Sequence, residues 1–134
     1  MRLLVNIDVP DVAAAERFYV AVFGLRPSRR FGADGVELLG AGVPVYLLRK
    51  PAGSTGAAAA TRDYGRHWCP VHCDVAVDNL DAALGAALAA GARQEGAIRD
   101  HDWGRIAQLA DPFGHGWCLI QFSAAGYDAI TTPA

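Results

Sequence analysis

The stretch LLVNIDVPDVAAAERFYVAVFG, residues 3–24, decides the fold, because its hydrophobic period changes half-way along. Leu3, Val5, Ile7 and Val9 alternate with Leu4, Asn6 and Asp8, the period-two pattern of a strand with one apolar and one largely polar face. From Val12 onward, Ala15, Phe18, Tyr19 and Val22 recur at helical spacing, with Asp11 placed to cap the start and Gly24 to stop the end. Three short strands are predicted next, at 26–31, 36–39 and 43–49, separated by the turn-forming segments 32–35 and 40–42. The first part of the chain therefore reads βαβββ.

The same pattern restarts after a Gly-, Ser- and Ala-rich segment, residues 51–66, whose low apolar content predicts an exposed linker. Residues 67–77 read as a strand, 80–90 as an alanine-leucine helix ended by Gly91, and 93–99, 105–110 and 117–122 as three further strands. Asp11 corresponds to Asn79, and Leu4 to His72, at a common offset of 68 residues (79 − 11 and 72 − 4). Towards the ends of the two halves Leu47 is set against Cys118, at an offset of 71 (118 − 47). Two copies of one supersecondary unit follow, each an apolar sheet face covered by its own helix. The expected organisation is a single α+β domain over residues 1–134, with tandem βαβββ modules at 1–50 and 67–123 joined by linker 51–66.

Composition bounds the function. At 134 residues the chain has the length of one ordinary domain, and 52% hydrophobic against 19% charged residues is the balance of a folding chain rather than a disordered one. A net charge of −2 gives no broad positive field, so neither nucleic acid nor an anionic membrane is an expected partner. No apolar run approaches the roughly 18 residues a bilayer span requires. Asn6 and Asp8 interrupt the first apolar run, so it lacks the core of an export signal, and three cysteines cannot all pair. The expectation is a cytoplasmic protein with free thiols.

Three motifs carry a family resemblance: Asp11-Val-Ala-Ala-Ala-Glu-Arg-Phe-Tyr19 through Phe23-Gly24-Leu25, Val77-Asp78-Asn79-Leu80-Asp81-Ala82-Ala83 through Gly91, and Asp111-Pro112-Phe113-Gly114-His115. In this order, on a duplicated βαβββ frame, they resemble the vicinal oxygen chelate superfamily, which holds glyoxalase I, extradiol dioxygenases, fosfomycin-resistance enzymes and bleomycin-binding proteins. The resemblance implies sheets that curve around a cavity, an open barrel with helices outside, and pairing as a homodimer. It also implies four metal-ligand positions, which fall here on Leu4, Leu47, His72 and Cys118. Two leucines ligate nothing, so the four-ligand centre is absent and with it the dioxygenase arrangement.

Asn6 and Asp8 share the face of Leu4, and Asp74 shares that of His72, so the inferred cavity wall is polar. Asp8, Asp74, His72 and Cys118 form an unorthodox alternative ligand set. Strand residues two apart stand about 6.5–7 Å from each other, awkward for one small ion. The site is therefore read as holding no metal and no cofactor.

His72 and Cys118 are the candidates for catalysis, His72 as acid or base and Cys118 as a nucleophile beside it. The plainer readings are a hydrogen-bonded or ligand-touching histidine and an inert packed thiol. Cys69 and Cys73 read as buried packing, and His115 as a turn residue. Trp103 and Arg105 stand at the expected rim, one to stack on a planar ligand and one to hold an anion; equally, Trp103 caps the core and Arg105 pairs with Asp102 or Asp111. Trp117 reads as core.

The ligand-binding set is Asn6, Asp8, Leu47, His72, Asp74, Trp103, Arg105 and Cys118. The first reading of function is a metal-independent small-molecule binding protein akin to the bleomycin-binding members, with a preference for polar or cationic compounds. The second is a glyoxalase-like lyase or isomerase that uses His72 with a non-standard or weak metal site.

Overall fold

The computed structural model describes residues 1–133 and divides into two compact units, residues 1–65 and the chain from Arg66 onward. Among the described residues the fold is α+β, with two helices and two open main sheets, neither closed on itself.

In the first unit, β1 (Val5–Val9) leads into α1 (Val12–Phe23), followed by β2 (Arg26–Arg30), β3 (Gly35–Leu39) and β4 (Val45–Arg49). The sheet order is β1-β4-β3-β2, with β1 and β4 parallel and the other pairs antiparallel. Asp11 caps α1 by accepting a hydrogen bond from the Ala14 amide at 3.0 Å, and Gly24 ends it in the left-handed region at φ 65°, where a glycine carries no Cβ penalty. Ala15, Phe18 and Tyr19 of α1 are buried with Ile7, Val9, Val36, Leu38 and Leu47 of the sheet.

Register assigns the faces. Ile7, Leu47 and Val36 are direct partners and form one row under the helix; Asn6, Tyr46 and Glu37 are partners in the next row, on the opposite, helix-free face. Residues 51–66 are not a bare linker: β5 (Thr55–Ala57) and β6 (Ala60–Thr61) form a small exposed hairpin. Arg62 just beyond it donates to Asp8 Oδ2 at 2.6 Å and ties the hairpin to β1.

The second unit runs β7 (Cys73–Ala76), α2 (Leu80–Ala89), β8 (Arg93–Gln94), β9 (Arg99–His101), β10 (Gly104–Ala110) and β11 (Gly116–Phe122), then a 3-10 turn at Gly126–Ala129. The sheet order is β7-β11-β10-β8, with β9 also pairing β10. Asn79 caps α2 through the Ala82 amide at 2.9 Å. Arg105 of β10 pairs with Asp81 at 2.8 Å, and the Leu80 amide donates to Gln121 at 2.8 Å, so the row of Arg105 and Gln121 faces the helix. By alternation the helix-free face carries Asp74, Cys118 and Gln108 in one row, then Ala76, Ile120, Ile106 and Arg99, then Phe122, Gly104 and His101.

Two elements differ from the pattern-based expectation. The strand expected over 67–77 is confined to Cys73–Ala76, because the chain bends at Pro70 and Val71 before the ladder begins. The strand expected over 93–99 is two short pieces, β8 and β9, separated by Gly96 with φ 82°.

The β10–β11 connection is built on Asp111, whose side chain is fully buried. Its Oδ1 accepts from the amides of Phe113 (2.8 Å) and His115 (2.9 Å), and its Oδ2 meets Trp117 Nε1 (3.3 Å) and His115 Nδ1 (3.0 Å). The Asp-Pro-Phe-Gly-His run is thus a turn wound around one carboxylate, as expected for His115, and it fixes where β11 starts.

Candidate functional site

In the second unit the helix-free face gathers the chemistry. Cys118 lies between Asp74 on β7 and Gln108 on β10, with Asp74 and Gln108 both its register partners. His72 stands just before β7, and its Nε2 comes to 3.5 Å from Asp74 Oδ1. The two side chains lean together, so their tips stand closer than the roughly 6.5–7 Å that separates strand residues two apart. One donor atom from each of His72, Asp74 and Cys118 lies within 4.8 Å of the others.

Cys118 is 3% exposed. Burial away from water, the Asp74 charge and the Asp74 hydrogen bond push its thiol up to about 11, against the opposing pull of Gln108 and Arg99. At neutral pH it is a protonated thiol, which is the wrong state for a nucleophile. Arg99 Nη2 donates to Gln108 Oε1 at 3.3 Å, which leaves the amide NH₂ of Gln108 to donate to the sulfur. Trp68 packs against the His72 ring at a centroid distance of 5.2 Å.

The far end of the same face is aromatic. Trp103, in the β9–β10 turn, stacks on His101 at 4.9 Å and 6° and packs on Tyr127 at 5.5 Å, while Phe122 meets Tyr127 edge-on at 4.8 Å. Phe122 and Tyr127 are 40% and 46% exposed, so this cluster presents ring faces to solvent. Gly104 permits the close approach of β10 to β11 there, at φ 149°, where a Cβ would run into the Gln121 carbonyl.

The remaining expected site residues fall differently. Arg105 is on the helix side, held by Asp81 and by Asp100 at 3.3 Å rather than by Asp102 or Asp111, so it is not at a rim. Leu47 is fully buried in the row of Ile7 and Val36 and faces the helix; the residue that matches Cys118 by register is Tyr46. Asn6 is exposed on the helix-free face of the first unit. Asp8 shares that face but its carboxylate is taken by Arg62. Cys69 is exposed rather than packed, since the segment before β7 is not strand, and Cys73 is half-buried.

One network escapes the sequence pattern. Glu37, 4% exposed, accepts from Arg29 Nε at 2.9 Å and from the Tyr46 hydroxyl at 2.7 Å. The Arg29 and Tyr46 hydrogen bonds hold its carboxyl down to about 2. The available signal was a single acid in the apolar run Val36-Glu37-Leu38-Leu39, a buried-polar position that demands partners.

Comparison with known proteins fixes the family. The Glyoxalase-like domain matches residues 4–120. The chain belongs to the glyoxalase-like family, within the vicinal oxygen chelate superfamily. An uncharacterized protein of Mycobacterium tuberculosis is 35% identical over 122 residues, which cover 87% of this chain and 71% of that one. The anthracycline biosynthesis protein DnrV of Streptomyces peucetius is 30% identical over 126 residues, 93% of this chain but 42% of DnrV. Among solved structures, TioX from Micromonospora sp. ML1 is similar at a TM-score of 0.66 and 26% identity, over 92% of this chain and 99% of TioX. The fosfomycin resistance protein FosX from Listeria monocytogenes shares the fold, with a TM-score of 0.71 at 14% identity, over 92% of this chain and 94% of FosX.

The superfamily's four metal positions do not fit an ion here. With the register corrected they are Leu4, Tyr46, His72 and Cys118. Leu4 offers no donor atom, and the Tyr46 hydroxyl is engaged with Glu37 and with Arg29 Nη2 at 3.4 Å. That leaves His72 and Cys118, fewer than the three protein donors of a stable catalytic centre.

Proposed function

We propose that this chain is a small-molecule-binding member of the glyoxalase-like family that works without the superfamily's four-position metal centre, as a homodimer. Its ligand lies along the helix-free face of the second unit, from Asp74 and His72 at one end to Trp103, Phe122 and Tyr127 at the other. The observation that carries the reading is this pairing of a polar end with exposed ring faces, about 13–14 Å apart along the four strand steps from Cys118 to Phe122. Asp74, 39% exposed in its side chain, favours a cationic group, and the aromatic end favours a planar one. The similarity to proteins named for anthracycline biosynthesis supports a ligand with a fused-ring system.

The test is binding of a planar cation, proflavine, followed by tryptophan quenching and calorimetry in the presence of EDTA. D74N and W103A each weaken binding by at least about tenfold, the scale of one charge-assisted or stacking contact. An anionic planar probe, anthraquinone sulfonate, binds more weakly than proflavine. Binding that is indifferent to both substitutions, or that vanishes in EDTA, refutes the proposal. Sedimentation equilibrium tests the homodimer, and a monomer at tens of micromolar rejects it.

A second reading has one observation in its favour. The His72–Asp74 contact of 3.5 Å is the arrangement that orients an imidazole for proton transfer, as a lyase or isomerase needs. Turnover of a 2-oxoaldehyde–thiol adduct that is lost in H72A would support it.

A further inference from the structure

We propose that His101 regulates the ligand site described above: its imidazole lies on the face of Trp103 where a planar ligand stacks, and taking up a proton holds it there and turns a cationic ligand away. The proposal rests on the ligand reading and adds to it a competitor built into the chain and a dependence on pH.

The backbone sets up the pair. His101 and Gly104 are register partners at the end of the β9–β10 hairpin, with Asp102 and Trp103 as the turn between them. The turn is pinned from β11: the Ser123 amide donates to the Trp103 carbonyl at 3.0 Å, and the Ser123 hydroxyl to the Asp102 carbonyl at 3.1 Å. Of the rings around Trp103, the imidazole is the one that lies flat, at 4.9 Å and 6°, whereas Tyr127 and Phe122 meet the indole at 52° and 59°. A planar ligand that stacks there takes the place the imidazole fills. His101 is exposed, so its side chain can swing off the indole by rotation without disturbing the ladder.

Charge gives this contact its pH dependence. A neutral imidazole stacks on an indole as any small aromatic ring does, whereas an imidazolium is also drawn to the negative ring face. The protonated ring is therefore the more firmly stacked, and it repels a cation that arrives at the same face. Both effects have one sign: as the pH falls from about 8 to about 5, the interval in which histidines charge, affinity for a planar cation falls. By reciprocity, a planar cation that displaces the imidazole favours loss of the His101 proton to solvent. The charges around the ring are Arg99, on the same face of β9 and turned to Gln108 at 3.3 Å, and Asp102 in the turn. Asp100 is on the other face, 3.3 Å from Arg105. Of the elements packed nearby, β10 contributes Gly104, β11 Phe122, and the 3-10 turn Tyr127, followed by Asp128. His72, beside Asp74 at the polar end, is the other histidine of this face, so the test removes it first.

The experiment measures proflavine affinity by calorimetry in EDTA, on the full chain carrying H72Q, from about pH 8 to about pH 5, where proflavine stays a cation. The expected fall is about two- to fivefold, the scale of one exposed cation–π contact, with protons released on binding at the acid end. Adding H101A removes the fall and tightens binding. Adding H101F, a flat ring that never charges, removes the fall without tightening. In the ligand-free protein, the ring current of Trp103 moves the His101 ring protons upfield in NMR spectra, and W103A abolishes that displacement. A fall that persists in H72Q/H101A, an H72Q affinity that is flat in pH, or weaker binding in H101A overturns the regulation alone. Absence of proflavine binding to the parent and every variant at about pH 8 refutes the ligand reading, and the regulation with it.

Discussion

Replacing Asp111 by alanine removes the carboxylate around which the β10–β11 turn is wound. Hydrogen bonds from the backbone amides of Phe113 and His115, at 2.8 and 2.9 Å, and from the Trp117 indole end on it beside the His115 ring, and the side chain is completely buried. A hydrogen bond to a charged group is worth about 1.5–3 kcal/mol, and a buried donor deprived of its acceptor costs about 1–3 kcal/mol. The loss is smaller than a plain total of these bonds, because the His115 side chain is 29% exposed and water replaces part of what it loses. The donors of Phe113 and Trp117, both residues under 10% exposed, carry the main cost. An expected destabilisation of about 3–5 kcal/mol follows, a fall in thermal midpoint of about 10–20 °C for a chain of this size. D111N is the graded control, since its amide oxygen keeps the two backbone bonds while its NH₂ faces the Trp117 N–H, donor against donor; about 1–3 kcal/mol is expected. Urea unfolding followed by tryptophan fluorescence measures both. If D111A lies within 1 kcal/mol of the parent, the carboxylate does not organise the turn and the argument fails.

Glu37 supplies a pH dependence of known sign. Its carboxyl is held from an ordinary 4.5 down to about 2, so its contribution to stability is complete above about 4.5 and is lost as the pH falls towards about 2. E37Q flattens the acid limb of the urea-midpoint profile in that window, and an unchanged slope refutes the assignment. Thiol labelling follows exposure: Cys69 reacts first, half-buried Cys73 more slowly, and buried Cys118 only as the second unit opens, which mass spectrometry of iodoacetamide adducts resolves. Early modification of Cys118 would contradict its place in the sheet. R62A frees the β5–β6 hairpin from Asp8, and limited proteolysis then cuts within 55–61 several-fold faster; equal rates would show that the Arg62–Asp8 pair does not anchor it.

The architecture was legible because each unit announces itself twice. Period-two alternation in Val5–Val9 gives way to helical spacing from Val12, and Asp11 and Asn79 each accept a bond from the amide three residues on, as capping residues at those positions should. The site was legible only in part. Asp74 and Cys118 share a face by alternation alone, but His72 lies outside the ladder, which begins only at Cys73 after the bend at Pro70 and Val71, and how its ring leans towards Asp74 leaves no mark in the pattern. Arg105 carried no mark of its side of the sheet, since its partner Asp81 lies 24 residues away on a helix.

The placement of Leu47 shows why comparison of the two halves by sequence reaches the strand but not the face. Helix starts align at an offset of 68, and loops between there and the last strands differ in length, so the offset must grow before Cys118. Setting it at 71 pairs Cys118 with Leu47; the ladders set it at 72 and pair Cys118 with Tyr46, because Asn6, Tyr46 and Glu37 stand in the same relation as Asp74, Cys118 and Gln108. A slip of one residue carries a side chain to the other side of the sheet. Corrected, the comparison gains content: where one half presents a thiol flanked by a part-exposed carboxylate and an amide, the other presents a phenol locked to a buried acid and its arginine. The first unit has thus committed these polar positions to its own stability, with Glu37 saturated by Arg29 and Tyr46 and Asp8 by Arg62. The second unit keeps His72 and Asp74 more than a third exposed, which is why the ligand is proposed on that unit's helix-free face.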